Sequence, residues 1–152
     1  MTDFNYSEYG NDTLNYAIEA ARKNIAEYKS TIKSLNKKLD APRGYSKKKL
    51  ELFEYKINSA ERMIVSLTQE ITECQEELAV RERLIYEHLD CGRSLGEIDA
   101  ANDEIEADKN LTSKEKSEML WANQLERGAR CELIAQLRSI QGRTLHDVKS
   151  QA

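Results

Sequence analysis

Proline and glycine, the residues that most often break helices, are scarce in this chain. Its 152 residues include a single proline and six scattered glycines, so long uninterrupted helices are permitted. No segment shows the alternating pattern rich in valine and threonine that is typical of β-strands. Glycine-rich loops that cradle phosphate groups are also missing. These absences predict an all-α protein and argue against a phosphate-cradling nucleotide site.

Long apolar runs and paired cysteines are missing as well. No run approaches the ~20 residues needed to span a membrane. The first residues lack the basic and apolar regions of a secretory signal. The three cysteines, Cys74, Cys91 and Cys131, are odd in number and widely spaced, which indicates free thiols in a reducing compartment. We therefore expect a cytoplasmic protein that carries no cofactor.

Charged side chains, in contrast, are abundant and are interleaved with regularly spaced apolar ones. Charged residues make up 33% of the chain and apolar residues 39%, a balance that suits long exposed helices. In two long runs the apolar residues recur at alternating steps of four and three, the heptad signature of coiled-coil contact. The first run is Leu14, Ile18, Ala21, Ile25, Tyr28, Ile32, Leu35 and Leu39. The second run is Leu50, Phe53, Ile57, Ala60, Ile64, Leu67, Ile71, Cys74 and Leu78.

The segment between the two runs predicts a turn. Residues 40–46 hold Pro42 and Gly44, which are typical of helix ends and tight turns. A short turn between two apolar seams predicts an antiparallel coiled-coil hairpin over residues 13–91. Pairing residues whose numbers sum to 85 fills every layer from both sides. The same seams could also pair between two chains, so a homodimer remains an alternative.

The remaining segments divide the chain further. Residues 1–12 are interpreted as an irregular N-terminal arm with three aromatic anchors, and residues 143–152 as a flexible tail. Residues 92–142 are interpreted as a C-terminal pair of helices, 97–109 and 113–141, that packs on the base of the hairpin. Because the second long helix outlasts the first, its last turns need cover from the arm, from this helical pair or from another chain.

Side chains at the predicted helix ends and on the last helix refine this architecture. Asp12 or Thr13 is expected to cap the first helix, Ser46 the second, and Thr112 the last through a capping box with Glu115. The last helix is expected to end at about Gly142. Its main apolar stripe is predicted to be Met119, Ala122, Leu125, Ala129, Leu133, Leu137 and Ile140.

Charge is distributed unevenly in a chain whose formal net charge is −4. Residues 29–49 carry eight basic side chains against one acid, Asp40, which is a net charge of +7 around the predicted turn. We call the candidate partner-binding residues there the basic tip: Lys37, Lys38, Arg43, Tyr45, Lys47, Lys48 and Lys49. The opposite pole is the acidic surface of the third helix: Glu97, Asp99, Asp103, Glu104, Glu106 and Asp108.

The sequence predicts no catalytic or metal-binding site. His88 and Cys91 lie three residues apart, but a histidine favoured by a helix C-terminus explains the first of them. A zinc site could be drawn only by adding Cys131 and His146, without the paired cysteines that such sites usually bring. Three acids of the third helix, Asp99, Asp103 and Glu106, could hold a divalent cation but are better explained as a solvated face. We predict no catalytic, cofactor or metal residue and no enzymatic activity.

The function expected from this pattern is a helical protein–protein interaction module acting as a regulator, adaptor or inhibitor. It would dock on a macromolecular partner through the basic tip, the acidic surface or both. The alternative is nucleic-acid binding, because lysine and arginine neutralise phosphates and an exposed Tyr45 could stack on a base. A third hypothesis is self-assembly of the basic tip of one chain with the acidic surface of another. A homodimer through the end of the second helix and the fourth helix is compatible with each of them.

Overall fold

The chain is all-α, as the sequence predicts. The computed structural model describes the backbone of residues 5–151 and the side chains of residues 5–141, and no strand occurs in that part. A short 3-10 helix, Tyr6–Glu8, precedes four α-helices. These are α1, Asn11–Asp40; α2, Lys47–Asp90; α3, Leu95–Ala107; and α4, Ser113–Gln151. No described helix combines the length and apolar character that crossing a membrane requires.

Two of the three predicted caps are confirmed. The hydroxyl oxygen of Ser46 accepts a hydrogen bond from the Lys49 amide at 3.2 Å, and that of Thr112 accepts one from the Glu115 amide at 3.2 Å. At α1 the prediction is wrong, because the helix begins at Asn11, two or three residues earlier, and Gly10 occupies the cap position without a side-chain hydrogen bond. Each predicted cap of α1, Asp12 or Thr13, lies inside the helix.

The predicted end of the last helix is also wrong. The α4 backbone continues through Gly142 to Gln151, so a single glycine does not stop this helix. Glycine costs only about 1 kcal/mol in a helix interior, which a long helix can absorb. The predicted mobility of residues 143–152 remains a prediction, and their side chains lie outside the described residues. Phe4 of the predicted arm also lies outside them.

The molecule divides into two compact units, Met1–Leu78 and Ala79–Ala152. The boundary between these units falls inside α2, which itself ends at Asp90. The first part of α2 therefore belongs to the hairpin unit and its last turns belong to the C-terminal unit. Each unit has its own buried residues.

The hairpin unit is built on the predicted heptad seams. Between residues 50 and 67 every seam position is buried or half-buried, and every intervening residue is exposed. At the turn, Leu35 of α1 packs with Phe53 and Ile57 of α2 in one buried cluster, which confirms that the two runs meet within this chain. The residues packed around this cluster are Ile32, Leu39, Tyr45 and Leu50.

At the other end of the hairpin unit, the arm covers α2. Leu14 and Cys74 are among the most deeply buried side chains of the described part of the chain. Tyr6 lies against this end, and its hydroxyl hydrogen bonds to Glu73. Burial, together with this carboxylate, raises the pKa of Tyr6, and burial likewise raises the pKa of the Cys74 thiol. Tyr6 therefore contacts α2 through its hydroxyl, and the anchoring role of the arm's aromatic residues remains a prediction.

The C-terminal unit has a small apolar core that includes one amide. Its most buried side chains come from the end of α2, from α3 and from α4: Ile85, Ile98, Ile105, Asn123 and Ile140. Helices α3 and α4 pack against each other. On α4 the side chain of Gln141 donates hydrogen bonds to Glu82, at 3.2 Å, and to the Tyr86 hydroxyl, at 2.6 Å. The last turns of α2 are thus covered by α4 within one chain.

The predicted apolar stripe of α4 is only partly buried, which corrects the sequence interpretation. Its last members, Leu133, Leu137 and Ile140, are buried or half-buried. Its first four, Met119, Ala122, Leu125 and Ala129, are exposed, because the first turns of α4 direct Asn123 inward instead. Asn123 directly follows Ala122 of the stripe, and each residue turns an α-helix by about 100°, so the buried face is rotated from the predicted stripe by about a quarter of a turn.

Candidate interaction surfaces

The basic tip lies where the sequence predicts it, around the turn between α1 and α2. Its six cations are all exposed, and Tyr45 is half-buried. Two elements hold this surface in place. The Ser46 cap fixes the first turn of α2, and Gly44 adopts the left-handed backbone conformation, φ +90°, that closes the loop.

A packed pair of aromatic rings supports the basic tip. The rings of Tyr45 and Phe53 meet edge to face, with centroids 5.3 Å apart and planes 81° apart. Two cations of the tip lie over these rings, Lys38 at 5.4 Å from the Phe53 centroid and Lys49 at 5.7 Å from the Tyr45 centroid. A cation over an aromatic face is attracted by the electron-rich ring, so these two ammonium groups are positioned more firmly than ordinary surface lysines.

None of the six tip cations forms an ion pair with any carboxylate among the side chains described, residues 5–141. Their charges are therefore available to an external anion. In contrast, Tyr45 is less available than the sequence suggested, because its ring packs on Phe53 and lies beneath Lys49. Stacking of a nucleic-acid base on Tyr45 would require these contacts to be broken.

The acidic surface on α3 is divided between internal and outward roles. Asp99 pairs with Arg127 of α4 at 3.0 Å. The hydrogen bond to the Asp99 carboxylate raises the pKa of the Arg127 guanidinium. Glu97 accepts a hydrogen bond from Ser94, whose hydroxyl in turn caps α3. Asp108 accepts a hydrogen bond from the Asn110 amide at 2.8 Å. The other three acids, Asp103, Glu104 and Glu106, are exposed and form no ion pair among the described side chains.

A network of polar side chains, which the sequence analysis missed, joins the elements of the C-terminal unit. The Arg93 guanidinium donates to both carboxylate oxygens of Glu126, at 2.6 and 3.3 Å, and to the Asn123 carbonyl oxygen at 2.7 Å. The Asn123 amide nitrogen donates to Asn102 of α3 at 2.8 Å. The hydrogen bonds to Arg93 lower the pKa of Glu126. Single polar residues on separate helices carry no periodic signal, so no pattern in the sequence could have found them.

Two further cations close helix ends in the same unit. The Arg130 guanidinium donates to the backbone carbonyls of Leu89 and Cys91, which the end of α2 leaves without helical partners. The Lys116 ammonium donates to the Glu106 carbonyl near the end of α3 at 3.0 Å. Cations are favourable at these positions because they face the negative end of the helix dipole.

Helices α3 and α4 also border an open groove of about 470 Å³. Its apolar lining comes from both helices and the loop between them: Ala101, Ile105, Leu111, Met119 and Ala122. Its polar lining includes Glu104, Asp108, Arg93 and Asn123. Two of the acids predicted as the acidic surface therefore border an apolar depression, which we call the α3–α4 groove.

The residues considered for chemistry do not assemble into a site within the described part of the chain. No group of three or more histidine, cysteine, aspartate or glutamate side chains is arranged there as a metal ion would need. The side chain of His146 lies outside the described residues. Of the three acids considered for a divalent cation, Asp99 is engaged by Arg127. Cys131 accepts a long contact from Arg127 at 3.8 Å.

Comparison with known proteins adds no relative: no family model, curated protein or solved structure matches this chain.

Proposed function

We propose that the protein is a non-catalytic helical interaction module whose basic tip docks on an acidic surface of a partner protein in the cytoplasm. One observation carries the proposal: six exposed cations occupy the hairpin turn, and none is paired with a described carboxylate. A concentrated group of like charges creates a local positive potential that attracts and steers anions, so this unpaired group favours an external anionic partner.

The construction of the tip supports docking of a preformed surface. The Ser46 cap, the edge-to-face rings and the two cation–π contacts hold the tip cations on a stiff base. Binding to a preformed surface loses less conformational entropy than binding to a mobile loop. Complementary charge at such a surface raises the association rate and orients the two partners.

A protein partner is favoured over nucleic acid by the state of Tyr45 and by the charge of the chain. The tyrosine that could stack on a base already packs on Phe53. The formal net charge of −4 also opposes nonspecific attraction to a polyanion. Nucleic-acid binding remains the alternative, since the tip cations could contact phosphates equally well.

The experiment is affinity capture with quantitative mass spectrometry, comparing the unaltered chain with a Lys47→Glu, Lys48→Glu, Lys49→Glu variant. We expect proteins bound through the tip to be lost from the variant, because three attractive charges become repulsive. The matched control is Lys23→Glu, Lys109→Glu, Lys114→Glu, which makes the same charge change at exposed positions outside the tip. Identical capture by all three proteins would refute the proposal.

Nucleic acid is tested separately. Fluorescence anisotropy with a labelled single-stranded oligonucleotide is recorded across a salt series. Phosphate contacts predict a log–log slope of about one unit or slightly less per contact neutralised. A steep slope that disappears in the tip variant would favour the alternative function, whereas weak binding with a flat slope would remove it.

A further inference from the structure

We propose that the α3–α4 groove of one copy receives the outer side of the first turns of α2, next to the basic tip, of a second copy, so that the chain assembles head to tail. The inference rests on the proposed function, in which the tip binds an acidic protein surface, and it names that surface. It differs from a two-fold dimer through α4, because the two copies contribute different surfaces.

The groove offers apolar surface next to negative charge. Met119 and Ala122 are exposed although they line the groove, and Leu125 and Ala129 extend the apolar surface along α4. Glu104 borders the groove, is exposed and has no cation paired with it among the described side chains. Asp108 borders it as well. An occupant therefore needs bulky apolar side chains flanked by lysine or arginine.

The outer side of α2 at the tip has this composition. Leu52 lies four residues after Lys48, and Tyr55 and Lys56 lie three and four residues after Leu52. This spacing places all four on one side of the helix, away from the seam that includes Phe53. Leu52 is 47% exposed and Tyr55 is 68% exposed, so two large apolar side chains face solvent beside two lysines. Glu51 lies near the same side and offsets one of these charges.

The two surfaces match in charge and in character. The apolar pair of α2 meets the apolar lining of the groove, and the flanking lysines meet Glu104 and Asp108. The groove volume of about 470 Å³ lies within the roughly 300–1,000 Å³ of small-ligand pockets. It therefore suits the insertion of side chains more than the burial of a whole helix.

Head-to-tail contact has a consequence for assembly. Each copy carries one tip and one groove, so an occupied pair still has one of each unoccupied. Such heterologous contacts produce rings if the rotation closes and open chains if it does not. Association should therefore continue beyond a dimer as the protein concentration rises.

The test measures molar mass by sedimentation equilibrium over a concentration series, at low and high salt. We expect the mass to rise above that of a dimer at low salt and to fall toward the monomer at 0.5 M salt, where charge attraction is screened within about one Debye length of roughly 4–5 Å. A Lys48→Glu, Lys56→Glu variant should lose association by tenfold or more, and so should Glu104→Lys. The matched control is Glu106→Lys, since it reverses an exposed acid of the same helix that does not line the groove.

A mixture of the two charge-reversal variants provides the decisive test. The two inactive variants, combined in equal amounts, should regain association, because an unaltered tip then meets an unaltered groove and the reversed charges are also complementary. A chain that stays monomeric at all protein concentrations and at both salt concentrations would overturn the inference. That result would have no bearing on tip-dependent capture of another protein. Loss of association in the tip variant but not in Glu104→Lys would overturn the groove assignment alone. If Lys48→Glu, Lys56→Glu left association unchanged and Lys47→Glu, Lys48→Glu, Lys49→Glu also left the set of captured proteins unchanged, the proposed function would fail as well.

Discussion

The two compact units are stabilised in different ways. In the hairpin unit the contacts repeat along a seam, and each layer adds apolar side chains to the same interface. In the C-terminal unit a few isoleucines are buried next to a polar network that joins Arg93, Asn123 and Glu126. The comparison shows that one chain can combine a periodic interface, which depends on spacing, with a non-periodic one, which depends on the exact positions of individual donors and acceptors.

The two units also differ in whether a buried asparagine has hydrogen-bond partners for its side chain. Asn123 has partners for both ends of its amide, Arg93 and Asn102. Asn15 of α1 is buried to a similar degree, but its amide nitrogen has no hydrogen-bond partner among the described residues. A buried polar group without a partner loses its hydration without compensation. Asn123 is therefore expected to stabilise the C-terminal unit, and Asn15 is expected to destabilise the hairpin unit.

The largest expected effect tests whether apolar burial dominates in both units. Ile18→Ala in α1 and Ile98→Ala in α3 each remove a side chain that is almost fully buried. Each should lower the free energy of unfolding by about 2–5 kcal/mol, the usual cost of lost burial plus a cavity. Hydrogen exchange with mass spectrometry, which reports each unit separately, measures the change.

The controls for this pair are exposed residues in the same units, Val65→Ala and Leu125→Ala. Away from buried features such changes usually stay within about 0.5 kcal/mol. If Ile98→Ala cost no more than Leu125→Ala, the C-terminal unit would depend on its polar network alone, and the two units would differ more sharply in what stabilises them.

An intermediate effect sharpens the contrast between the two asparagines. Asn123→Leu removes an acceptor from Arg93 and a donor from Asn102, so the free energy of unfolding should fall by about 1–3 kcal/mol. Asn15→Leu replaces an unpartnered amide by an apolar group of similar size and should raise it by about 1 kcal/mol. Urea denaturation followed by circular dichroism measures both variants. Equal losses in the two would show that Asn15 is satisfied in solution.

The smallest expected effect is a pH dependence confined to the C-terminal unit. Because its hydrogen bonds to Arg93 lower the pKa of Glu126, the unfolded chain takes up a proton at this residue at a higher pH than the folded chain does. Stability is then fully present above the ordinary glutamate pKa, near 4.5, and is lost as the pH falls below it. Thermal melts from pH 6 to pH 3 should show a shallower decline for Glu126→Gln than for the exposed control Glu106→Gln. Parallel curves would contradict the assignment.

The hairpin could be predicted from sequence because its interface is periodic. Steps of four and three keep side chains on one face of a helix, and Pro42 with Gly44 marks the turn, so no distance information was needed. The positions of the basic tip followed directly from the turn. The state of Tyr45 did not, since its packing on Phe53 depends on how the loop folds back over the seam.

The C-terminal unit was harder to predict because its helices offer more than one apolar face. In α4 the sequence favoured the stripe beginning at Met119, whereas the structure turns Asn123 inward. The choice depends on Arg93 and Asn102, which lie on other elements. Hydrophobicity alone ranks an asparagine below a methionine for burial, and only specific partners reverse that order.

The sequence by itself determined the all-α class, the hairpin with its seam and turn, and the concentration of positive charge at the tip, because periodicity, helix breakers and charge are local properties. Tertiary structure decided which face of α4 is buried, which acids of α3 remain unpaired, and that an apolar groove lies beside Glu104. These features arise where side chains from separate helices meet. Their energies depend on distances and partners that no single segment contains.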